Sequence, residues 1–157
     1  MRAIFERVIE TSDAKAGKTG GELVRGTCLY ACVLLQSSLE RFAGCKTQVR
    51  GGDGLEDGAV IDPGGRRRGH YWLEGTTESG ERFLADITAD QFGLPPVTIL
   101  WAEDSWEEYQ AGDDVLVARH VAEVQADLAA AARDSENAVG PQNTGGELGT
   151  LPGTPGG

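Results

Sequence analysis

Long hydrophobic runs, paired cysteines and basic charge are all scarce in this chain of 157 residues, and each scarcity removes a class of function. No apolar stretch approaches the roughly 18 residues that suggest a membrane span. The start, Met1-Arg2-Ala3-Ile4-Phe5-Glu6-Arg7, turns charged at once and lacks the apolar core of a secretory signal. Cysteine occurs only at positions 28, 32 and 45, an odd count that does not read as a disulfide framework. Free thiols in a reducing, cytoplasmic compartment are therefore expected. Lysine and arginine number 14 against 25 aspartates and glutamates, a net charge of −11 that repels nucleic acid and anionic membrane surfaces. Neither is expected as a partner. Zinc needs about four ligands, and the three cysteines with His70 and His120 show no ligand spacing, so no metal and no cofactor is expected.

What remains is a chain of a length for one domain with one core and one site. Ile4, Phe5, Val8 and Ile9 recur at helical spacing, which predicts a short amphipathic helix over residues 2–10. Residues 11–27 are rich in Gly, Lys and Thr and read as a loop. Their Gly17-Lys18-Thr19 lacks the earlier glycine and the preceding apolar strand that a phosphate-binding loop requires. Leu29, Val33, Leu35, Leu39 and Phe42 then mark a helix over residues 28–42, with Gly44 as its stop. On it Cys28 and Cys32 lie one turn apart, Cys32 as a small core residue.

Residues 46–50 and 59–61 predict two brief strands or a flexible hairpin, and Arg66-Arg67-Arg68 reads as a solvated loop, the alternative being a lip that recruits an acidic substrate segment or a carboxylate. Residues 70–74 and 81–88 are rich in aromatic and β-branched side chains around a turn, which predicts a β-hairpin with His70, Trp72 and Glu74 on one face. Pro95-Pro96 breaks regular structure before a strand over residues 97–101. Ser105-Trp106-Glu107-Glu108 has the spacing of a capping box and predicts a short helix. Val117, Val121, Val124 and Leu128 mark a longer amphipathic helix over residues 114–133, with His120 beside the stripe and without an evident partner. The domain spans residues 1–134, and the Gly/Pro-rich residues 135–157 have too few large apolar side chains to fold. The expected class is α+β, a central helix packed on a small antiparallel sheet.

The chemistry concentrates on three side chains. Cys28 stands where a glycine-containing loop enters a helix, and the exposed N–H groups and positive dipole end of a helix favour thiolate over thiol. His70 opens one strand of the hairpin and Asp86 closes the other, so thiol, imidazole and carboxylate follow in order along the chain. Asp90 is an alternative carboxylate, and Gln91 is a candidate second oxyanion donor by side-chain type alone.

This order resembles the transglutaminase-like branch of the papain-like fold. The resemblance covers residues 26–93 and is carried by Gly-Thr-Cys28-Leu-Tyr-Ala, Gly-His70-Tyr-Trp-Leu-Glu and Phe-Leu-Ala-Asp86-Ile-Thr-Ala-Asp-Gln-Phe-Gly, with an aromatic two residues after the histidine. It implies Cys28 as nucleophile, His70 as acid–base and Asp86 as orienter, acting on a peptide or glutamine-type amide of a protein or peptide substrate through a thioester. Water as second reactant gives peptidase, amidase or deamidase activity, and an amine gives transglutamination. The length leaves no room for the extra domains and calcium sites of transglutaminases proper. A cell-wall amidase of the NlpC type is the rival enzyme, although Leu29-Tyr30 follows the cysteine where that class has a Ser-Gly pair. An inert papain-like binding module, with Cys28 packed as a small apolar residue, is the rival without chemistry.

Overall fold

The computed structural model describes residues 27–54 and 57–138. The helix expected over residues 2–10 and nearly all of the loop after it lie outside the described residues, as does the tail beyond residue 138. The first element among the described residues is helix α1, Cys28–Ala43, which ends as the sequence implies: Gly44 takes the left-handed conformation at φ 62°. Strands β1 (Lys46–Gly52), β2 (Ala59–Ile61), β3 (Arg67–Arg68), β4 (His70–Thr76) and β5 (Arg82–Asp86) follow. A 3-10 turn over Ala89–Phe92, strands β6 (Thr98–Trp101) and β7 (Tyr109–Gln110), and helix α2 (Asp114–Ala138) complete the order.

The class is α+β, with two sheets instead of one. β1, β4, β5 and β6 form an antiparallel sheet in the order β1-β4-β5-β6, and β3, β2 and β7 form a second one in the order β3-β2-β7. The expected 70s hairpin is the centre of the first sheet, with Leu73 opposite Ala85 and Glu74 opposite Leu84. β1 and β2 do not pair with each other as a hairpin. β1 runs along β4 from Lys46↔Thr76 to Gly52↔His70, while β2 pairs with β3 and β7. Two-residue strands such as β3 and β7 have no periodicity to read, so only their partners define them.

β4 is buried on both sides, Trp72 and Leu73 alike, which makes it the middle of three layers. On one face Leu73, Phe83, Ala85 and Val49 meet Ala31, Cys32 and Leu35 of α1 and Val117 of α2. Strand alternation sends His70, Trp72, Leu84 and Asp86 to the opposite face, where Trp72 meets Tyr109 of β7 edge to face at 5.1 Å. Cys32 is core, as expected.

Two sequence expectations fail here for local reasons, and a third holds in part. Residues 105–108 form no helix: Asp104 accepts a hydrogen bond from the Trp101 N–H at 2.6 Å and the Trp106 indole donates to the Trp101 carbonyl at 2.9 Å, closing a turn that leads into β7. The arginine run is solvated as expected, but Arg67 and Arg68 form β3 in place of a loop. Asp62 accepts from Arg66 Nε at 2.9 Å and from Arg68 Nε at 3.0 Å, and its other oxygen takes the Gly64 and Arg66 N–H groups. The Arg66 backbone bond leads the causes that hold the Asp62 carboxyl down at about 2, against burial, which raises it; Arg68 and Arg66 side chains add to the lowering. Finally, α2 continues to Ala138 instead of stopping near 133, because Ala129 to Ala132 are strong helix formers and the first breakers are Gly140 and Pro141.

No helix among the described residues is long and apolar enough to cross a membrane, and none of their His, Cys, Asp and Glu side chains gather in a group of three that could hold a metal ion.

Candidate active site

Cys28 is the first residue of α1 and is half-buried. Thr27 occupies the cap position and its carbonyl accepts the Ala31 N–H at 3.0 Å, but its side chain makes no capping hydrogen bond. The first-turn N–H groups therefore open, uncapped by that side chain, at the end of the helix that carries the thiol.

His70 opens β4, and its place is fixed by backbone contacts that only glycine permits. Gly51, at φ +122°, lies where a Cβ would stand 2.0 Å from the His70 carbonyl oxygen. At Gly54, φ +86°, a Cβ would meet the Gly69 nitrogen at 2.2 Å. The end of β1 and the loop after it thus press directly on the backbone that delivers the imidazole.

The imidazole is fully buried, and its Nε2 lies 2.6 Å from Oδ2 of Asp86, itself 1% exposed. Asp86 is held on both oxygens. Oδ1 accepts the Thr88 N–H at 2.9 Å and the Thr88 hydroxyl at 3.4 Å, and Oδ2 also accepts the Tyr109 hydroxyl at 3.2 Å. Phe92 closes over the imidazole edge to face at 5.1 Å. Burial pushes the His70 pKa down, but the charge and hydrogen bond of Asp86 push it up, the Cys28 thiol adds to both, and the result is a value raised to about 9. Nδ1 is buried without a completed hydrogen bond. With Nε2 committed to Asp86, Nδ1 is the ring atom left for the sulfur of Cys28.

Burial together with the Asp86 charge holds the Tyr109 phenol protonated, so it stays a donor to that carboxylate. On the other face of β4, the Tyr71 hydroxyl and His120 Nδ1 are 2.8 Å apart, which supplies the partner for His120 that the sequence did not indicate. Burial, then the charge of Cys28, raises the Tyr71 pKa to about 12.

Among the described residues no alternative carboxylate takes the place of Asp86 against His70. Asp90 sits in the 3-10 turn, and the Gln91 amide, considered above as an oxyanion donor, donates to the Thr88 carbonyl at 3.0 Å. Sequence reasoning missed Tyr109 and Thr88. Thr88 had a local signal, since Asp followed by Thr two residues later is the spacing at which a carboxylate caps its own turn. Tyr109 had none, lying 23 residues from Asp86 on a two-residue strand of the other sheet.

No family model matches the chain, and no curated protein and no solved structure matches it. A buried carboxylate–imidazole pair with one free ring nitrogen beside a half-buried helix-start thiol has the parts to carry a proton between sulfur and a departing group.

Proposed function

We propose that this chain is a cysteine hydrolase or acyltransferase with Cys28 as nucleophile, His70 as acid–base and Asp86 as orienter, on a core of the transglutaminase-like branch of the papain-like fold. The observation that carries the reading is the buried His70–Asp86 pair at 2.6 Å, with Nδ1 buried and unbonded and the Cys28 thiol close enough to help raise the imidazole pKa. Packing alone gives no reason to bury a charged pair, since desolvation of both partners costs several kcal/mol each.

In the reaction, His70 already holds the proton of the pair, as its raised pKa requires, and the Cys28 sulfur, attacking as the thiolate, forms a bond to the amide carbonyl carbon. The carbonyl oxygen, negative in the tetrahedral adduct, faces the first-turn N–H groups of α1. Collapse breaks the carbon–nitrogen bond, the leaving nitrogen takes the proton from His70, and an acyl thioester remains on Cys28. A water or amine then gives its proton to His70, attacks the thioester carbon and releases the thiolate. Asp86 keeps the ring oriented and supports its charged form throughout.

The reading is tested with an activated ester, p-nitrophenyl acetate, and intact-mass measurement. The expected result is a burst of nitrophenol with one acetyl group on Cys28, absent from Cys28→Ala. Acetylation that persists in Cys28→Ala, or none at all in the wild type, overturns the proposal. Ammonia release from a glutamine peptide, with and without an added primary amine, then distinguishes water from amine as the second reactant.

A further inference from the structure

The triad leaves the Tyr71–His120 pair unused. Strand alternation puts Tyr71 on the α1 face of β4, opposite His70. There it borders the core beside Leu29, which follows Cys28, and Val121, which follows His120, so strand and both helices meet at this ring. The Tyr71 hydroxyl lies 2.8 Å from His120 Nδ1, the rings stand edge to face at 6.2 Å, and both residues are half-buried. Burial first and then the charge of Cys28 raise the Tyr71 pKa to about 12. The phenol thus keeps its proton at neutral pH and stands close enough to feel the thiol. Acyl transfer meanwhile calls for more than one oxyanion donor, since loss of a single one costs about 10²–10³ in rate, and the Gln91 amide is committed to the Thr88 carbonyl.

We propose that Tyr71 is the second oxyanion donor, its phenol proton turned toward the carbonyl oxygen of the substrate while His120 donates from Nδ1 to the phenol oxygen and fixes the ring. The inference rests on the cysteine-enzyme reading above, and adds Tyr71 as a catalytic residue and His120 as a positioning residue. A hydroxyl has one proton and two acceptor sites, so a donor at Nδ1 leaves that proton for the substrate. As the Cys28 sulfur bonds to the carbonyl carbon, the electron pair of the carbon–oxygen double bond moves onto oxygen, and the bond from Tyr71 strengthens without a proton transfer. When the carbon–nitrogen bond breaks, that pair returns. The contact is thus stronger in the tetrahedral adduct than in the substrate, as acceleration requires.

Two reactions of Cys28 separate this role from packing and from thiol activation: acylation by p-nitrophenyl acetate passes through an oxyanion, while alkylation by iodoacetamide displaces iodide without one. Tyr71→Phe is expected to slow the nitrophenol burst about 10²-fold and to leave the Cys28 alkylation rate at the wild-type value. His120→Ala is expected to slow the burst in the same selective way, and His120→Asn, whose amide donates from near the Nδ1 position, to recover most of it. An unchanged burst in Tyr71→Phe overturns the proposal, and so does an equal fall in burst and alkylation, which assigns Tyr71 to the thiol or to the fold. Should Tyr71→Phe unfold, seen as reaction of the buried Cys32, the two His120 variants decide, and an Asn no better than Ala overturns the proposal. A wild-type chain that gives no burst overturns the cysteine-enzyme reading itself, and this one with it.

Discussion

Replacing Asp86 by Asn removes a charge while keeping nearly every hydrogen bond, which isolates the electrostatic part of the buried pair. The Asn carbonyl still accepts from Thr88, and its NH₂ group donates to a neutral His70 Nε2 once the ring proton sits on Nδ1. In the wild type the folded His70 pKa is raised from 6.5 to about 9, and at 1.36 kcal/mol per unit this corresponds to about 3 kcal/mol. The sign follows from the direction of the shift. A histidine with a raised folded pKa contributes its stability in full below the unfolded value and loses it as pH rises through the folded one. Asp86→Asn is therefore expected to be less stable than wild type by about 3 kcal/mol at pH 6, the gap closing to well under 1 kcal/mol by about pH 10. Tryptophan-monitored guanidinium unfolding at pH 6, 8 and 10 reads the difference, and titrations common to both proteins cancel in it. A gap that stays flat across this range would refute the ion-pair reasoning.

Tyr109→Phe removes the 3.2 Å donor from Asp86 and leaves more of that charge to His70; a loss of about 1–2 kcal/mol at pH 7 and an upward move of the His70-linked transition are expected, read by the same unfolding series. An unmoved transition assigns Tyr109 to packing alone. Gly51→Ala places a Cβ against the His70 carbonyl at positive φ and is expected to destabilise by more than about 1 kcal/mol, with loss of the nitrophenol burst even where the variant stays folded. Full activity in that variant would show that the end of β1 does not set the imidazole. Because the folded Asp62 carboxyl is held at about 2, its contribution is present above the unfolded value near 3.8 and is lost as pH falls through about 2; hydrogen exchange of the β2–β3 turn should therefore accelerate between pH 4 and 2, and more weakly in Asp62→Asn.

Parts of this molecule were legible because local periodicity and punctuation carried them. The stripe from Leu29 to Leu39 with Gly44 behind it gave α1, and the β-branched and aromatic residues around Gly75 and Gly80 gave the β4–β5 hairpin. Once that hairpin stood, the opening histidine and closing aspartate had to be neighbours, so the His70–Asp86 pair was within reach of the sequence. The second sheet was not. β3 and β7 owe their extended form to β2, which for β7 lies about 50 residues away, as in Val60↔Tyr109, and the capping-box spacing at Ser105 lost to side chains that tie the turn to Trp101. The same long-range placement hid Tyr109 beside Asp86 and His120 beside Tyr71. The arginine run is solvated as its composition implied, with Arg66 70% and Arg68 39% exposed, but its pairing as β3 and the gathering of two of its charges on Asp62 were not legible.

Site-mapped alkylation of the native chain with substoichiometric iodoacetamide at mildly acidic pH, where ordinary thiols stay protonated, bears most directly on whether Cys28 is an imidazole-activated nucleophile. Label on Cys28, lost in His70→Ala while Cys32 and Cys45 stay unmodified, is the outcome this account predicts. Label on Cys45 in preference to Cys28, or a Cys28 rate indifferent to the removal of His70, would contradict it.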